Sequence, residues 1–202
     1  QPETGNPKLE TRNPKPLNSP RSQPPTAMPV TRPFNFKQWI DEHRHLLKPP
    51  VGNQVVYQPN QDFIVMVVGG PNSRKDYHYN ETEEFFYQLE GDIVVKIIDD
   101  GKPVNIPIKE GEIFLLPART PHSPQRGPNT VGLVMEVQRR PGMKDGLQWY
   151  CESCHQLLHE EYFDLEDIVD QLAKAMTAFY EDKQKRTCKH CGAVMEPPVP
   201  VK

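Results

Sequence analysis

Several features that would assign the chain to a membrane or to a nucleic acid are missing from the sequence. None of its apolar runs approaches the roughly 18 residues that a membrane-spanning helix needs. Its N-terminal segment also lacks the apolar core of a secretory signal peptide. The net charge is −3 and the isoelectric point is about 6.2, so there is no excess of positive charge for nucleic acid or anionic lipid. We therefore expect no nucleic-acid partner and no membrane partner.

Cysteine is scarce, and its four positions form two Cys-x-x-Cys pairs, Cys151 with Cys154 and Cys188 with Cys191. A secreted scaffold held by disulfides usually has more cysteines, so we expect a reducing, cytoplasmic location. Two such pairs are typical of a closed tetrathiolate site for zinc or iron, which is structural or transfers electrons. Two alternatives stay open: disulfide bonds, and haem attachment at the Cys-x-x-Cys-His segment that ends at His155. Haem attachment would leave the second pair unexplained.

Composition divides the chain into three regions. Residues 1–33 contain nine prolines and almost no large apolar side chains, so we expect a disordered leader or an artificial extension there. Residues 34–150 contain the strand-like segments and would form the main domain. Residues 151–202 contain both cysteine pairs and the periodicity of an amphipathic helix, and would form a metal-binding region.

Apolar patterning predicts two helices around a β-rich centre. Apolar residues recur at helical spacing over residues 34–47, before Pro49 and Pro50, and again over residues 165–182. Between the helices lie short β-type segments separated by glycine turns, which favour an antiparallel sandwich or barrel. The predicted strands are 63–68, 84–89, 92–98, 104–108, 113–116 and 131–137.

Two blocks within the β-rich region have the spacing of a metal site. In the first, five residues separate His78 from Glu84, and six more precede a glycine. In the second, a glycine is followed after five residues by Pro117, and His122 lies five positions beyond that proline. The two blocks resemble the paired motifs of cupins, jelly-roll proteins that hold one metal inside the barrel. The resemblance implies that His78, Glu84 and His122 are the metal ligands.

The blocks depart from the cupin pattern at a few positions. Asp76 occupies the place of a further histidine, which leaves three protein ligands instead of four. Arg119 replaces a glycine, and Arg126 replaces an asparagine that often follows the second-block histidine. Spacing alone leaves the carboxylate open between Glu83 and Glu84, because neighbours on a strand face opposite sides. We choose Glu84, which keeps the six-residue gap. The simplest alternative is a set of ordinary surface residues with a coincidental spacing.

The donor set indicates which metals to expect. Two imidazoles and one carboxylate suit a non-haem Fe(II) site that activates dioxygen, although Mn, Co or Ni could bind the same ligands. Zinc is more often tetrahedral with a single open position. We therefore expect Fe(II) in the barrel. At the four cysteines, the family resemblance described next implies a second iron, although zinc would fit the same thiolates.

Longer segments around these motifs resemble one family of cupins, 3-hydroxyanthranilate 3,4-dioxygenase. The segments are residues 69–78 (GGPNSRKDYH), 83–89 (EEFFYQL), 114–117 (FLLP) and 121–126 (PHSPQR). The similarity covers about residues 34–197, and the paired cysteines are similar to those of bacterial and fungal forms. The resemblance implies an all-β cupin jelly-roll barrel as the catalytic domain, followed by a small C-terminal helix and a tetracysteine metal site. It also implies a homodimer.

The same resemblance implies an activity. Fe(II) would bind 3-hydroxyanthranilate, a small aromatic substrate, together with O2. Both oxygen atoms would enter the product, 2-amino-3-carboxymuconate semialdehyde. This compound is a precursor of quinolinate, in tryptophan and kynurenine catabolism and in NAD biosynthesis.

The resemblance further implies roles for four charged residues. Arg126 would bind the substrate carboxylate through charge-assisted hydrogen bonds. Arg74 would lie at the O2 site, where a cation favours electron transfer to oxygen. Glu136 would contact the substrate and manage a proton, and the ligand Glu84 would also contact the substrate. The alternatives are solvated loop charges for the two arginines and, for Glu136, an ion pair with an arginine, because a buried carboxylate is costly unless it is paired or functional.

A competing function uses the same fold. A non-catalytic cupin could bind a small ligand, with the cysteine site as an interaction module. Arg74 and Arg126 beside a metal with few protein ligands favour the enzyme. A cupin isomerase would usually keep the fourth ligand that Asp76 replaces.

Overall fold

The computed structural model describes residues 30–49, 52–58, 62–164 and 168–199, without the side chains of residues 168–170. The chain divides into two units, Gln1–Phe34 and Asn35–Lys202. Residues 30–34 of the first unit have no regular secondary structure. Most of the predicted leader, residues 1–33, therefore lies outside the described residues.

Three α-helices occur in the described part of the second unit. They are α1 (Phe36–His43), α2 (Ile168–Glu181) and α3 (Lys183–Arg186), and a 3-10 turn over Arg44–Leu46 follows α1. Helix α1 begins where the Asn35 side chain accepts a hydrogen bond from the backbone N–H of Gln38, which satisfies one of the free donors at a helix start. Arg44 then ties this segment to the barrel through two hydrogen bonds of 2.8 Å to Glu90.

In the part of the chain that the structure describes, eleven strands form two antiparallel sheets. The strands are β1 (Asn53–Val55), β2 (Phe63–Gly69), β3 (Tyr77–Tyr79), β4 (Glu84–Glu90), β5 (Ile93–Asp99), β6 (Lys102–Ile108), β7 (Ile113–Leu116), β8 (His122–Arg126), β9 (Val131–Val137), β10 (Asp145–Tyr150) and β11 (Leu157–Phe163). One sheet has the order β1-β2-β9-β4-β7, and the other has the order β11-β10-β3-β8-β5-β6. Consecutive strands often lie in different sheets, as in a jelly roll.

The two sheets pack against each other through a shared apolar core. Alternate residues of each strand point to this core, since side chains alternate across a strand. The buried residues come from β2, β4, β7 and β9 of one sheet and from β5 and β6 of the other: Met66, Phe86, Leu116, Val134, Ile93, Val95, Ile97 and Ile108. Met66, Phe86 and Val134 of this core also line the cavity described below.

A second core joins the barrel to the cysteine region. Leu147 and Trp149 of β10 pack against Phe179 of α2 and against Met195. The rings of Trp149 and Phe179 stack with centroids 4.2 Å apart. The residues on both sides of the predicted boundary at residue 150 therefore share one core, and the division into two regions there stays a prediction.

The predicted all-β class is confirmed, and the six predicted strands appear as β2, β4, β5, β6, β7 and β9. The sequence analysis missed five further strands: β1, β3, β8, β10 and β11. Strands β1 and β3 have three residues each, and β8 contains Pro124, so pairing with neighbours decides their conformation rather than propensity. The predicted helix 34–47 is shorter, because a 3-10 turn replaces its last part. Residues 165–167 of the other predicted helix lie outside the described residues.

Candidate active site

The three predicted metal ligands come from both sheets and meet inside the barrel. His78 lies on β3 and His122 begins β8, and these two residues are direct cross-strand partners. Glu84 begins β4 in the opposite sheet, where it pairs with Leu116 of β7 and Glu136 of β9. Glu83 is exposed, as expected for its neighbour on the strand. The alternation of β4 therefore directs Glu84, and not Glu83, toward the two histidines.

These three side chains have the proximity and the burial of a metal site. One ligand atom from each lies within 4.8 Å of the others, and Glu84 Oε2 is 3.0 Å from His122 Nε2. All three residues are 6% exposed or less. Burial alone would raise the pKa of Glu84, but the two histidines and Arg139 outweigh it and lower the pKa. Burial alone would lower the pKa of His122, but the Glu84 carboxylate raises it. The charges of the site thus favour an ionised Glu84.

Neighbouring groups orient each donor, and the residues fit a hard or borderline divalent cation. His122 Nδ1 lies 3.0 Å from the carbonyl oxygen of Thr120, which leaves Nε2 free for the site. His78 Nε2 lies 2.7 Å from Asp145 Oδ1. Asn80 Nδ2 donates to Glu84 Oε2 over 3.4 Å. Metal-binding histidines commonly have such partners, which fix the tautomer and the ring orientation. Two imidazoles and a carboxylate suit Fe(II) or Mn(II).

A cavity of about 1030 Å³ opens onto the three donors. Its lining also contains residues of β2 and β9, the segment after β2, and Leu172, Ala173 and Met176 of α2. The two predicted arginines, Arg74 and Arg126, both line it. The cavity therefore brings together the sequence-predicted site residues of the barrel.

Arg126 is the last residue of β8 and is 4% exposed. Its Nη1 donates to Gln88 Oε1 over 3.3 Å, and its backbone N–H donates to Asn72 Oδ1 over 2.8 Å. Among the residues that the structure describes, no carboxylate lies within ion-pair distance of its guanidinium. Burial lowers the pKa of Arg126 to about 10, and the Arg74 cation adds to this effect, although the Glu84 carboxylate opposes it. The alternative of a solvated loop charge does not describe this residue, which is a buried cation at the cavity wall.

Arg74 forms an ion pair with Asp76, the residue at the position of the missing cupin histidine. Arg74 Nη2 contacts Asp76 Oδ2, and Nε donates to Oδ1 over 3.4 Å. Asp76 is fully buried, whereas the Arg74 side chain is 23% exposed. Burial opposes the charge of Arg74, but the Asp76 carboxylate outweighs it and raises the pKa. Asp76 thus holds the Arg74 guanidinium at the cavity wall instead of joining the donor triad.

Glu136 of β9 lies directly across from Glu84 and is also buried. Burial and the Glu84 charge raise its pKa, although Arg139 partly offsets them. Arg139 Nη1 lies 2.5 Å from Glu136 Oε2, outside the geometry of a hydrogen bond. The ion pair that the sequence analysis left open for Glu136 is therefore present, and Glu136 still lines the cavity.

The four cysteines form a second cluster outside the barrel, with their sulfur atoms within 4.8 Å of one another. The Sγ atoms of Cys151 and Cys191, and of Cys154 and Cys188, are 3.6 Å apart, and all four thiols are free. In each pair, a backbone N–H four residues after the first cysteine donates to the carbonyl of that cysteine: His155 to Cys151, and Gly192 to Cys188. Backbone N–H groups of Cys191 and His190 lower the pKa of Cys188 to about 6. The cluster has the donors and the turns of a tetrathiolate metal site.

The sequence analysis did not find several polar residues of the site: Asn72, Asn80, Gln88, Arg139 and Asp145. Gln88 could have been found, because its strand position has the same parity as Glu84, so a polar side chain faces the interior. No apolar alternation in the sequence indicates that Arg139 and Asp145 face the interior. Arg139 follows the end of β9, and Asp145 begins β10, which the sequence did not predict. Arg119 has a φ of 62°, which explains why glycine is the usual residue at its place in cupins.

Comparison with known proteins adds relatives that share most of the chain. The model of the 3-hydroxyanthranilic acid dioxygenase family matches residues 28–180. The protein named 3-hydroxyanthranilate 3,4-dioxygenase from Xanthomonas campestris pv. campestris (strain B100) is 51% identical over 166 residues, 82% of this chain and 93% of the relative. The protein of that name from Jannaschia sp. (strain CCS1) is 54% identical over 169 residues, again 82% and 93%.

One solved structure with a similar fold is that of a cupin-2 domain containing protein from Shewanella frigidimarina. It is 19% identical, covers 49% of this chain and 92% of that chain, and has a TM-score of 0.41. In the described part of the chain, no helix has the length and apolar character to cross a membrane. The residues matched by the family model include the three barrel donors and the first cysteine pair, whereas Cys188 and Cys191 follow them.

Proposed function

The chain belongs to the 3-hydroxyanthranilic acid dioxygenase family, and from this membership we propose that it opens the ring of 3-hydroxyanthranilate with dioxygen. The C3–C4 bond breaks, both oxygen atoms enter the product, and the product is 2-amino-3-carboxymuconate semialdehyde. The observation that supports this most directly is that one cavity contains both the donor triad and the buried guanidinium of Arg126. An aromatic substrate with a hydroxyl, an amine and a carboxylate needs both groups.

His78, Glu84 and His122 would hold Fe(II), whose chemistry when bound is to pass electron density from the aromatic ring to dioxygen. The three donors fit Fe(II), because two imidazoles and one carboxylate are the typical ligands of the iron in Fe(II) oxygenases. The triad has little contact with bulk water, because its residues are 6% exposed or less, and this strengthens their electrostatic interactions. Three protein donors are fewer than a six-coordinate ion takes, so small ligands can complete the coordination.

Arg126 would bind the substrate carboxylate. A buried cation without a carboxylate partner is costly, and a bound carboxylate would compensate it through two charge-assisted hydrogen bonds. Gln88 and Asn72 hold the side chain and the backbone of Arg126 in place before the substrate binds. This preorganisation reduces the conformational entropy lost on binding.

Glu136 would accept a proton from the substrate hydroxyl or amine. Its pKa is raised by burial and by the charge of Glu84, which makes it a stronger base than an exposed carboxylate. It lines the cavity and lies opposite Glu84, so a substrate beside the donor triad is within its reach. Glu84 would contact the same substrate from the neighbouring strand of the same sheet.

Arg74 would serve the O2 site. Its guanidinium is at the cavity wall and is held there by Asp76. A fixed cation stabilises negative charge that develops on oxygen during electron transfer. At the position where cupins usually have a further metal-binding histidine, this chain would thus have Asp76, which positions the Arg74 cation.

The four-cysteine cluster would bind a structural iron or zinc ion. In the sequence, Cys154 precedes the segment that contains α2 and Cys188 follows it. A metal bound by both cysteines would therefore hold the two ends of this segment together. A homodimeric assembly stays a prediction of the family resemblance, and a cytoplasmic location stays a prediction from the small number of cysteines.

Anaerobic loading of the protein with Fe(II), followed by 3-hydroxyanthranilate and air, tests the proposed function. Oxygen uptake and the near-ultraviolet absorbance of the ring-opened product would be recorded together. We expect one O2 consumed per substrate converted, with no conversion in metal-free protein. If iron is bound and no oxygen is consumed, the dioxygenase proposal fails and the non-catalytic ligand-binding cupin gains support.

A further inference from the structure

One buried arginine, Arg139, contacts residues next to the donor triad and has no role in the proposed reaction. Arg139 follows β9, three residues after Glu136, and its side chain is 7% exposed. Its Nε donates to Asp145 Oδ2 over 2.8 Å and its Nη2 to Asp145 Oδ1 over 2.7 Å. Its Nη1 donates to the Val137 carbonyl over 3.1 Å and lies 2.5 Å from Glu136 Oε2. Every nitrogen of the guanidinium therefore has a hydrogen-bond partner.

Asp145 continues this network to the donor triad. It is fully buried, and its Oδ1 lies 2.7 Å from His78 Nε2. A carboxylate at this distance holds the proton on Nε2 and so leaves Nδ1 as the nitrogen with a free lone pair. The bidentate contact with Arg139 fixes both oxygens of Asp145, because the guanidinium fork is planar. The orientation of the His78 ring thus depends on Arg139 through one intermediate residue.

Arg139 also contacts Glu136, whose residue lines the cavity. Glu136 and Glu84 are direct cross-strand partners, so two carboxylates lie next to each other inside the barrel. Arg139 is the cation next to Glu136, and its charge also acts on Glu84. The Arg139 cation offsets the repulsion between Glu136 and Glu84, and without it Glu136 would lose the ion pair that holds its carboxylate.

We propose that Arg139 is a positioning residue that sets two groups of the active site at once: the ring of His78, through Asp145, and the carboxylate of Glu136, directly. The effect on His78 is independent of the substrate, whereas the effect on Glu136 rests on the proposed function. A single guanidinium thereby keeps a metal donor and a proton acceptor in a fixed mutual arrangement. Sequence neighbours could not do this, because His78 and Glu136 lie in different sheets.

The test compares Arg139→Lys, Arg139→Met and Asp145→Asn with the matched control Arg140→Met, an exposed arginine next in the sequence. The probe is Mn(II), followed by the electron paramagnetic resonance signal of the free ion, because thiolate clusters bind it poorly and the barrel donors bind it well. Melting temperature is recorded for each variant. Lysine keeps the positive charge but lacks the planar fork, so it separates charge from positioning.

We expect the Mn(II) dissociation constant to rise about tenfold in Arg139→Lys and in Asp145→Asn, and to stay at the wild-type value in Arg140→Met. Arg139→Lys should keep a melting temperature close to that of the wild type. With Fe(II) bound at saturation, Arg139→Lys should also lower kcat for ring opening while the KM changes little. A folded Arg139→Lys and a folded Asp145→Asn that both bind Mn(II) like the wild type would overturn the proposal.

The two proposals fail in different ways. If wild-type protein consumes no oxygen with 3-hydroxyanthranilate while Mn(II) affinity falls in the variants, the reaction assignment is wrong and the positioning role of Arg139 stands for His78. If the wild type is active and the variants bind Mn(II) normally, the reaction stands and the positioning role is wrong. Should Arg139→Met fail to fold, the lysine and asparagine variants still decide between these outcomes.

Discussion

At the scale of single residues, the site consists of charges that are buried together and that differ in how they are compensated. Arg74 pairs with Asp76, and Arg139 pairs with Asp145 and Glu136. Among the described residues, the Arg126 guanidinium has a neutral amide, Gln88, as its hydrogen-bond partner and no carboxylate at ion-pair distance. Since a buried charge is tolerated when it is paired, the group without a counter-charge marks where an anionic part of a ligand belongs.

Removing a donor tests the triad. In His122→Ala, a two-ligand set should no longer hold the barrel metal, and oxygen consumption should fall below detection. Metal analysis should still find the four-cysteine ion, because that cluster is a separate site. Retained turnover at the wild-type rate would show that His122 is not a ligand.

Removing the unpaired cation tests the carboxylate contact. Arg126→Ala should raise the KM for 3-hydroxyanthranilate by about 10- to 100-fold, the range for a lost charge-assisted hydrogen bond or two. With 2-aminophenol, which lacks the carboxylate, the variant and the wild type should have similar kcat/KM. Equal losses with both compounds would assign Arg126 to folding or to the metal instead, and Arg140→Ala serves as the exposed control.

Gly132 offers a milder change at the same place. A Cβ at this position would lie 2.9 Å from Arg126 Nη1 and 2.8 Å from Gln88 Oε1, both at the far ends of flexible side chains. Gly132→Ala should therefore displace the guanidinium with little loss of stability and raise the KM by roughly tenfold, because small misplacements of a binding group are costly. An unchanged KM in the folded variant would argue that the position of Arg126 is not critical.

At the scale of elements, the cavity combines rigid strands with one helix that lies outside the barrel. The donors and Arg126 are on β3, β4 and β8, whereas Leu172 and Met176 of α2 form part of the wall. Helix α2 lies between the two cysteine pairs in sequence and packs through Phe179 on Trp149 of β10. The cysteine cluster can thus stabilise a wall of the cavity without touching it.

Loss of one thiolate should affect stability first. Cys188→Ser should lower the melting temperature by about 5 °C or more, since a structural metal site contributes to folding and 1 kcal/mol corresponds to roughly 2–4 °C for a chain of this length. Metal analysis should show one ion fewer per chain, and Lys189→Ser is the neighbouring control. A Cys188→Ser protein with an unchanged melting temperature would contradict a structural metal.

At the scale of the whole molecule, the confirmed family and the two-sheet architecture place several buried carboxylates inside one barrel. Their ionisation therefore couples folding to pH. Burial would raise the pKa of Asp145, but Arg139 and His78 outweigh it and lower the pKa to about 2 from the usual 3.8. An acid with a lowered pKa stabilises the folded state above its unfolded pKa, and this contribution disappears as the pH falls through the folded value.

The pH dependence follows with a definite sign. In metal-free protein at about pH 6, the free energy of unfolding of Asp145→Asn should be about 2 kcal/mol lower than that of the wild type. The difference should shrink as the pH falls from about 4 toward 2, where the wild-type carboxylate becomes protonated. Urea unfolding at several pH values measures it, and a difference that stays constant over this range would show that Asp145 is not stabilised by its charge.

The sequence by itself determined the elements whose side chains alternate or recur with a clear period. It predicted six strands, both helical segments, the cysteine pairs, the family, and the three residues that meet as a metal-capable group. Motif spacing was sufficient there, because a strand fixes which neighbours share a face and two cysteines in one turn share one metal. Asp76 was also recognised from sequence as a departure from the cupin pattern.

Only the tertiary structure decided which partners the buried charges have. Strands β3, β8 and β10 lack a propensity signal and form because neighbouring strands supply their hydrogen bonds, so the contact of His78 with Asp145 could not be derived from spacing. The same holds for Arg139, which lies 61 positions after His78 and reaches its ring through that contact. Periodicity describes which way a side chain points from its own strand, whereas a charge network depends on where two sheets meet.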